Sequence, residues 1–165
     1  MIHRANEERI HNALAKKNAV TIMGPRQVGK STLADAIIPK DARILEINGD
    51  NTDVQTMFIN VDEAKMKVLI GNKNFLFVDE AQKIENVGNM LKIVAEKFKD
   101  VKIIVTGSSA LKLAESVNES LTGRKREFRL YPLSFKEMAD ETSTLEESRM
   151  IDHRLIYGYY PEVVT

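Results

Sequence analysis

Short apolar runs alternate along the chain with stretches in which apolar residues recur every three or four positions. The apolar runs predict strands over 19–23, 43–47, 75–78, 101–105 and 127–130. The periodic stretches predict helices over 7–17, 30–38, 61–70, 87–98 and 110–115. Apolar strands that alternate with helices are typical of a parallel sheet covered on both faces. The pattern therefore predicts an α/β fold with three layers.

The segment that follows the last predicted strand carries two signals for the start of a helix. Ser134 and Glu137 have the spacing of a capping box, and so do Thr144 and Glu147, which predicts two short helices. Residues 162–165 are strand-prone and carry no terminating signal. We therefore expect a further C-terminal region to follow them.

Composition excludes several classes of function. The chain has 165 residues, which fits one domain, and it has no cysteine, which excludes disulfides, thiolate zinc sites, iron–sulfur clusters and a cysteine nucleophile. Its 24 basic and 24 acidic residues argue against a protein that coats nucleic acid, although they allow a local basic patch. Acidic residues at 50–53 lack the glycine and distal glutamate of a calcium loop, so they predict a turn.

Neither a membrane span nor an export signal is visible in the sequence. Uninterrupted aliphatic or aromatic runs are far shorter than the roughly 20 residues that a spanning helix needs. The N-terminus is rich in charge and has no apolar signal-peptide core. We therefore expect no membrane contact and a cytoplasmic location.

A complete phosphate-loop motif, G-x-x-x-x-G-K-[ST], lies between the first predicted strand and the helix after it. It reads Gly24-Pro25-Arg26-Gln27-Val28-Gly29-Lys30-Ser31. The two glycines allow a tight turn whose N–H groups converge on phosphate, and the helix dipole points there. Lys30 is predicted to contact the β- and γ-phosphates and Ser31 to bind Mg²⁺, with Thr32 completing the nucleotide-binding segment. The alternative is an ordinary glycine turn with a solvated lysine, which would not need the flanking strand and helix.

Two carboxylates follow the third predicted strand, at the sheet edge where α/β proteins bind ligands. Asp79 is predicted to hold Mg²⁺ through water beside Ser31, and Glu80 to polarise the attacking water as a general base. A kinase passes its phosphate to a substrate and has less need of the second acid, so the pair favours hydrolysis. The alternative is a strand followed by a solvated acidic helix cap.

The fourth predicted strand ends in small hydroxyl residues, Thr106, Ser108 and Ser109. If this strand lies between the first and the third, Ser108 or Thr106 lies near the γ-phosphate and senses it. The alternative is that a serine caps the next helix, which is a common use of serine.

The densest basic cluster spans residues 121–129. An arginine of this cluster, offered across a subunit boundary, is a candidate to stabilise transition-state charge, which would make the protein a homo-oligomer. The alternative is a solvated edge strand. A nucleic-acid patch has thin support, because only Phe128 and Tyr131 interleave with the charges.

Several of these segments together resemble one family of bacterial and archaeal AAA+ ATPases, whose members usually carry a further C-terminal domain of unknown function. The segments that carry the resemblance are 24–31, 78–83, 106–109, 121–124 and 131–137. They occur in the family's order and cover essentially the whole chain. The resemblance implies a P-loop NTPase fold of the additional-strand type, with a parallel five-stranded sheet in the order 5-1-4-3-2.

The resemblance also implies a role for individual positions. The implied roles are phosphate and Mg²⁺ binding for Lys30 and Ser31, the Walker B pair for Asp79 and Glu80, sensor 1 for Ser108, and an arginine finger for Arg124. One element departs from the family: residues 157–162 have a tyrosine where a second glycine is common. Residues 134–165 are expected to form a reduced helical lid and the start of the missing C-terminal region.

The sequence therefore predicts a domain that binds ATP with Mg²⁺ and hydrolyses it to ADP and phosphate. ATP is favoured over GTP because the chain has no N-K-x-D guanine motif. Two alternatives remain open: a nucleotide-controlled switch or scaffold with little turnover, and a small-molecule P-loop kinase. A protein or nucleic-acid partner is compatible with the sequence, and no feature demands one.

Overall fold

The computed structural model describes residues 2–16, 19–108, 117 and 119–164. Its centre is a five-stranded sheet whose paired strands are all parallel. The strands are β1 (Ala19–Met23), β2 (Ile44–Asn48), β3 (Phe75–Asp79), β4 (Lys102–Gly107) and β5 (Lys125–Arg129). Their order across the sheet is β2-β3-β4-β1-β5. This confirms the predicted order 5-1-4-3-2 and the three-layer P-loop NTPase fold.

Helices cover both faces of the sheet. Those with described bounds are α1 (Glu7–Lys16), α2 (Lys30–Ile37), α3 (Thr52–Met57), α4 (Glu63–Ile70), α5 (Val87–Lys97), α6 (Phe135–Glu141), α7 (Thr144–Arg149), α8 (Ile151–Tyr157) and α9 (Pro161–Val164). A 3-10 turn spans Ala81–Lys83. None of these helices has the length and apolar character that crossing a lipid bilayer requires.

Two apolar clusters, one on each face, hold the three layers together. On one face, α1 and α2 bury residues such as Ile10 and Leu33 against Ile22 and Ile104 of the sheet. On the other face, α4 and α5 bury their apolar residues against alternate positions of β3 and β4. Successive side chains of a strand point to opposite faces, so the strands buried on both sides read as continuous apolar runs.

The parallel sheet brings three chain segments to one edge. Because parallel strands end on the same side, the residues that follow β1, β3 and β4 lie together there. β4 pairs with both β1 and β3, so the condition on which the role of Ser108 depended is met.

Local structure differs from the sequence expectation in two segments. The turn predicted at 50–53 leads directly into α3, because the Asn51 carbonyl accepts the N–H groups of Val54 and Gln55 at 3.1 Å. Residues 162–164, which are strand-prone in sequence, belong to α9 instead. Pro161 supplies the fixed φ angle that suits the first position of a helix.

The helix-start signals after β5 are partly confirmed. Ser134 and Glu137 form the complete predicted capping box. The second helix starts one residue away from its predicted cap, because Ser143 accepts the N–H of Glu146. A third helix, α8, was not predicted. The helix predicted at 110–115 and the side chain of Ser109 lie outside the described residues.

Candidate active site

The phosphate loop joins the end of β1 to the start of α2. Gln27 and Gly29 have φ angles of 63° and 87°, a left-handed conformation that only glycine adopts without strain. No hydrogen bond among the described residues uses the backbone N–H of Gly29, Lys30 or Ser31. These donors at the start of α2 are therefore available to an anion, and the helix dipole adds positive potential there.

Gly24 is required for a reason that the sequence did not indicate. We predicted that it serves a tight turn, but its φ angle is not among the positive ones. A Cβ at this position would lie 2.1 Å from the carbonyl oxygen of Leu130. The close approach follows from strand pairing, because the Leu130 N–H donates to the Met23 carbonyl at 2.7 Å.

Lys30 is buried beneath the loop, with 5 % of its residue surface exposed. Its Nζ donates to the Pro25 carbonyl at 2.7 Å and lies 3.9 Å from Glu80 Oε1. Burial lowers the pKa of the Lys30 ammonium, whereas the carboxylates of Glu80 and Asp79 oppose the shift. The lysine is thus a desolvated cation whose pKa an anionic phosphate chain would raise again.

Ser31 and Asp79 meet across the gap between α2 and β3. Ser31 Oγ donates to Asp79 Oδ2 at 2.8 Å, and the Thr106 hydroxyl donates to Asp79 Oδ1. A hydroxyl and a carboxylate are ligands that suit Mg²⁺. No group of three or more His, Cys, Asp or Glu side chains in the described ranges is arranged to hold a metal.

Glu80 directly follows β3 and is held by polar contacts on both its backbone and its side chain. Its φ angle of 46° is left-handed, which is a strained conformation for a non-glycine residue. Its N–H donates to Asp79 Oδ1 at 3.1 Å and to Thr106 Oγ1 at 3.3 Å. Its Oε2 accepts from the Gln82 amide and, at 3.2 Å, from Ser108 Oγ.

Ser108 lies beside the carboxylate of Glu80. Its hydroxyl donates to Glu80 and accepts from Gln82 Nε2 at 2.9 Å. Thr106 is fully buried and donates to Asp79. Thr106 in β4 and Ser108 just after it therefore contact one carboxylate each, that of Asp79 at the end of β3 and that of Glu80 just after it.

An apolar cavity of about 210 Å³ adjoins the phosphate loop. It is lined by the chain start, the first turns of α2, the segment after β5 and the start of α9. The lining residues are Ile2, Arg4, Gly29, Thr32, Leu33, Leu133 and Pro161. Thr32 of the predicted nucleotide-binding segment thus lies on the cavity wall.

Arg124 lies at the opposite edge of the sheet from the phosphate loop. The Ala19 N–H donates to its carbonyl at 3.3 Å, which places it beside the start of β1. The four residue steps from Ala19 to Met23 span about 13 Å. Its guanidinium is half-exposed and pairs with Glu96 at 3.3 Å. Arg124 is therefore far from the site of its own chain.

Residues 16–139 match the model of a protein family described as an AAA domain. The match covers the strands and the side chains of the site. The chain belongs to this AAA domain family.

Relatives of this AAA domain occur in bacteria and archaea, and all of those compared are uncharacterised proteins. One from Haemophilus influenzae is 32% identical over 96 residues, covering 56% of this chain and 24% of its own length. One from Mycobacterium tuberculosis is 26% identical, and the match covers 82% of this chain and 30% of the relative. One from Methanocaldococcus jannaschii is 27% identical, and the match covers 86% of this chain and 35% of the relative. The chain thus spans about a quarter to a third of the length of these relatives.

A solved structure shares the fold of this AAA domain. The Walker-type ATPase of Pyrococcus abyssi superposes with a TM-score of 0.61 at 16% identity. The match covers 92% of this chain and 63% of the other. This likeness supports a P-loop ATPase fold for the domain.

Three contributors to the site of the AAA domain were missed or misplaced by sequence reasoning. Gln82 was not singled out, although its position two residues after Glu80 on a tight turn was a signal. Thr106 was considered only as a phosphate sensor, and its hydrogen bond to Asp79 was not predicted. The cavity joins segments from both ends of the chain, so no local pattern indicated it.

Proposed function

We propose that this AAA domain binds ATP with Mg²⁺ and hydrolyses it to ADP and phosphate. One observation carries the proposal. The free N–H groups of the phosphate loop, the Lys30 ammonium, the Ser31–Asp79 pair and the Glu80 carboxylate lie together at one sheet edge. Phosphoryl transfer depends mostly on positioning and charge stabilisation, and these are the groups that supply both.

The phosphate loop would bind the triphosphate. The N–H groups of Gly29, Lys30 and Ser31 would donate to phosphate oxygens, and Lys30 would leave the Pro25 carbonyl for the β- and γ-phosphates. Contact with phosphate would compensate the desolvation of the buried ammonium.

Ser31 and Asp79 would hold Mg²⁺, the serine directly and the aspartate through water. The metal, when bound, neutralises charge that develops on the phosphates. The hydrogen bond from Thr106 fixes the Asp79 carboxylate in the orientation seen here.

Glu80 would act as the general base. It would take a proton from a water as that water's oxygen forms a bond to the γ-phosphorus and the bond to the β–γ bridging oxygen breaks. The products are ADP and inorganic phosphate. Ser108 and Gln82 would orient the carboxylate of Glu80 for this transfer, in line with their contacts to Oε2.

The cavity beside the loop would take the adenine ring. Its walls are mainly apolar, from Ile2, Leu33, Leu133 and Pro161, and apolar walls suit a nucleobase. Residues 134–164 would act as a reduced lid, because α9 contributes Pro161 to the wall.

Binding is tested by titrating Mg·ATP and Mg·GTP into the chain by calorimetry, with the oligomeric mass measured in the same samples. Lys30→Ala should weaken Mg·ATP binding at least tenfold, or about 1.4 kcal/mol, because a buried point charge is lost from the phosphates. Lys92→Ala, at an exposed position of α5, is the control and should bind like the wild type. Equal affinities for Lys30→Ala and the wild type would overturn the phosphate-loop assignment.

A nucleotide-controlled switch is the competing function, and the two contacts on the Glu80 carboxylate favour it. In the structure Glu80 is engaged by Gln82 and Ser108, and a carboxylate that stayed so engaged would leave bound ATP intact. Hydrolysis measured at saturating ATP separates the two functions. A kinase would instead transfer the phosphate to an added acceptor. The same assay would then detect ADP without an equal amount of inorganic phosphate.

A further inference from the structure

Arg4 is a buried cation that the proposed mechanism does not use. It precedes α1, and 7 % of its residue surface is exposed. Each guanidinium nitrogen donates to a different acceptor: Nε to Glu137 Oε1 at 3.1 Å, Nη1 to the Val28 carbonyl at 2.9 Å, and Nη2 to the Tyr131 carbonyl at 2.6 Å. One side chain therefore ties the start of the chain to the phosphate loop and to the segment after β5.

Glu137 holds the Arg4 guanidinium from α6. Its Oε1 also accepts the Ala5 N–H at 2.9 Å, and its Oε2 accepts the Ser134 N–H at 2.8 Å. Burial by itself would raise the pKa of Glu137, but the hydrogen bonds from Ala5 and Ser134 and the charge of Arg4 outweigh it and lower that pKa. Glu137 is thus an ionised partner for a permanently charged guanidinium.

The contact at Val28 fixes one peptide group of the phosphate loop. The described chain has no cis peptide bonds, so the Val28 carbonyl and the Gly29 N–H point in opposite directions. With the carbonyl held by Arg4, the N–H is turned to the other side of the loop. That N–H is one of the donors at the start of α2 for which the described part of the chain shows no partner.

We propose that Arg4 is a positioning residue of the phosphate loop, which holds the Val28 carbonyl so that the Gly29 N–H faces the bound phosphates. Glu137 keeps Arg4 in place. The proposal rests on the proposed function, because the Gly29 N–H has a role only if phosphate binds. It also explains why Arg4, which lines the cavity beside the loop, is buried rather than in solvent.

Stability by itself is a weak reason for this arrangement. A buried ion pair often contributes no more to stability than apolar residues of similar volume would, because desolvation offsets the attraction. A lysine cannot replace the arginine, since the three N–H donors of an ammonium are on one nitrogen, whereas these acceptors lie around three nitrogens of a planar guanidinium. The three acceptors thus require a planar guanidinium, whose donors have a fixed geometry.

The test compares Arg4→Lys with Arg9→Lys, a matched change at an exposed position of α1. Calorimetry measures Mg·ATP and, as a probe without a nucleobase, Mg·tripolyphosphate, at a temperature where all variants are folded. Loss of one charge-assisted hydrogen bond predicts about tenfold weaker binding of both ligands by Arg4→Lys. Arg9→Lys should match the wild type.

Two further readouts separate positioning from general destabilisation. In the ligand-free chain, the Gly29 amide resonance should shift in Arg4→Lys while resonances of the sheet core stay in place. In Arg4→Ala, added ethylguanidinium should restore phosphate affinity by binding in the space that the Arg4 guanidinium occupied. Wild-type affinity in Arg4→Lys, or an unshifted Gly29 resonance, overturns the role of Arg4 alone. A wild-type chain that binds neither ligand overturns the proposed function as well.

Discussion

Glu80→Gln is expected to bind Mg·ATP as the wild type does and to hydrolyse it about a hundredfold or more slowly. The amide keeps the size of the side chain but cannot take a proton from water, and general-base catalysis contributes about 10²–10⁴ in rate. Calorimetry gives the affinity, and phosphate release at saturating ATP gives the rate. Because the ground state is unchanged, the loss should appear in kcat rather than in affinity.

Two further variants are measured beside Glu80→Gln: Asp79→Asn as a comparison and Glu85→Gln as a control. Asp79→Asn should weaken the dependence on Mg²⁺, because a carboxylate that accepts from Ser31 is replaced by a neutral amide. Glu85 is exposed and outside the site, so Glu85→Gln should behave like the wild type. If Glu80→Gln and Asp79→Asn lose binding and turnover to the same extent, the division of roles between the two acids is wrong.

Arg124→Ala is expected to bind ATP normally and to lower the rate of hydrolysis by about 10³, the effect of an arginine supplied from a neighbouring subunit. The reason is geometric: Arg124 lies at the sheet edge opposite its own phosphate loop, so the nucleotide site that it can reach is that of another copy. Its exposed pair with Glu96 would not prevent this, because such pairs are worth little. Specific activity should therefore rise with protein concentration.

Mixing two inactive variants also tests whether Arg124 acts on the site of a neighbouring subunit. Arg124→Ala mixed with Glu80→Gln should recover part of the activity, because a mixed interface joins an intact Glu80 to an intact Arg124. Arg126→Ala, an exposed position in β5 two residues after Arg124, serves as the control and should keep full activity. No recovery on mixing, together with activity independent of concentration, would assign Arg124 to a solvated strand end.

The strands and the main site residues could be predicted because their signals are local. Fully buried strands such as β1 read directly as apolar runs. Lys30 and Ser31 follow one strand and Asp79 and Glu80 follow another, so the rule that parallel strands end at one edge was sufficient to bring them together. The strand order came from the family resemblance rather than from the pattern.

The remaining parts of the site depend on contacts between segments far apart in sequence. Arg4 and Glu137 are separated by 133 positions, and no local pattern pairs them. Gly24 is required by the carbonyl of Leu130, which strand pairing brings within contact. The two valines of α9 favour a strand, so the sequence did not indicate this helix, whereas the proline before them starts it.

The most direct test of hydrolysis is a single-turnover measurement on the full-length protein. The chain is mixed in excess over radiolabelled Mg·ATP, quenched at intervals, and assayed for inorganic phosphate and ADP. The account predicts that phosphate and ADP appear in equal amounts and that Glu80→Gln, loaded to the same occupancy, retains intact ATP. Bound ATP that stays intact on the wild type, at concentrations where subunits assemble, would contradict hydrolysis and favour a nucleotide-controlled switch.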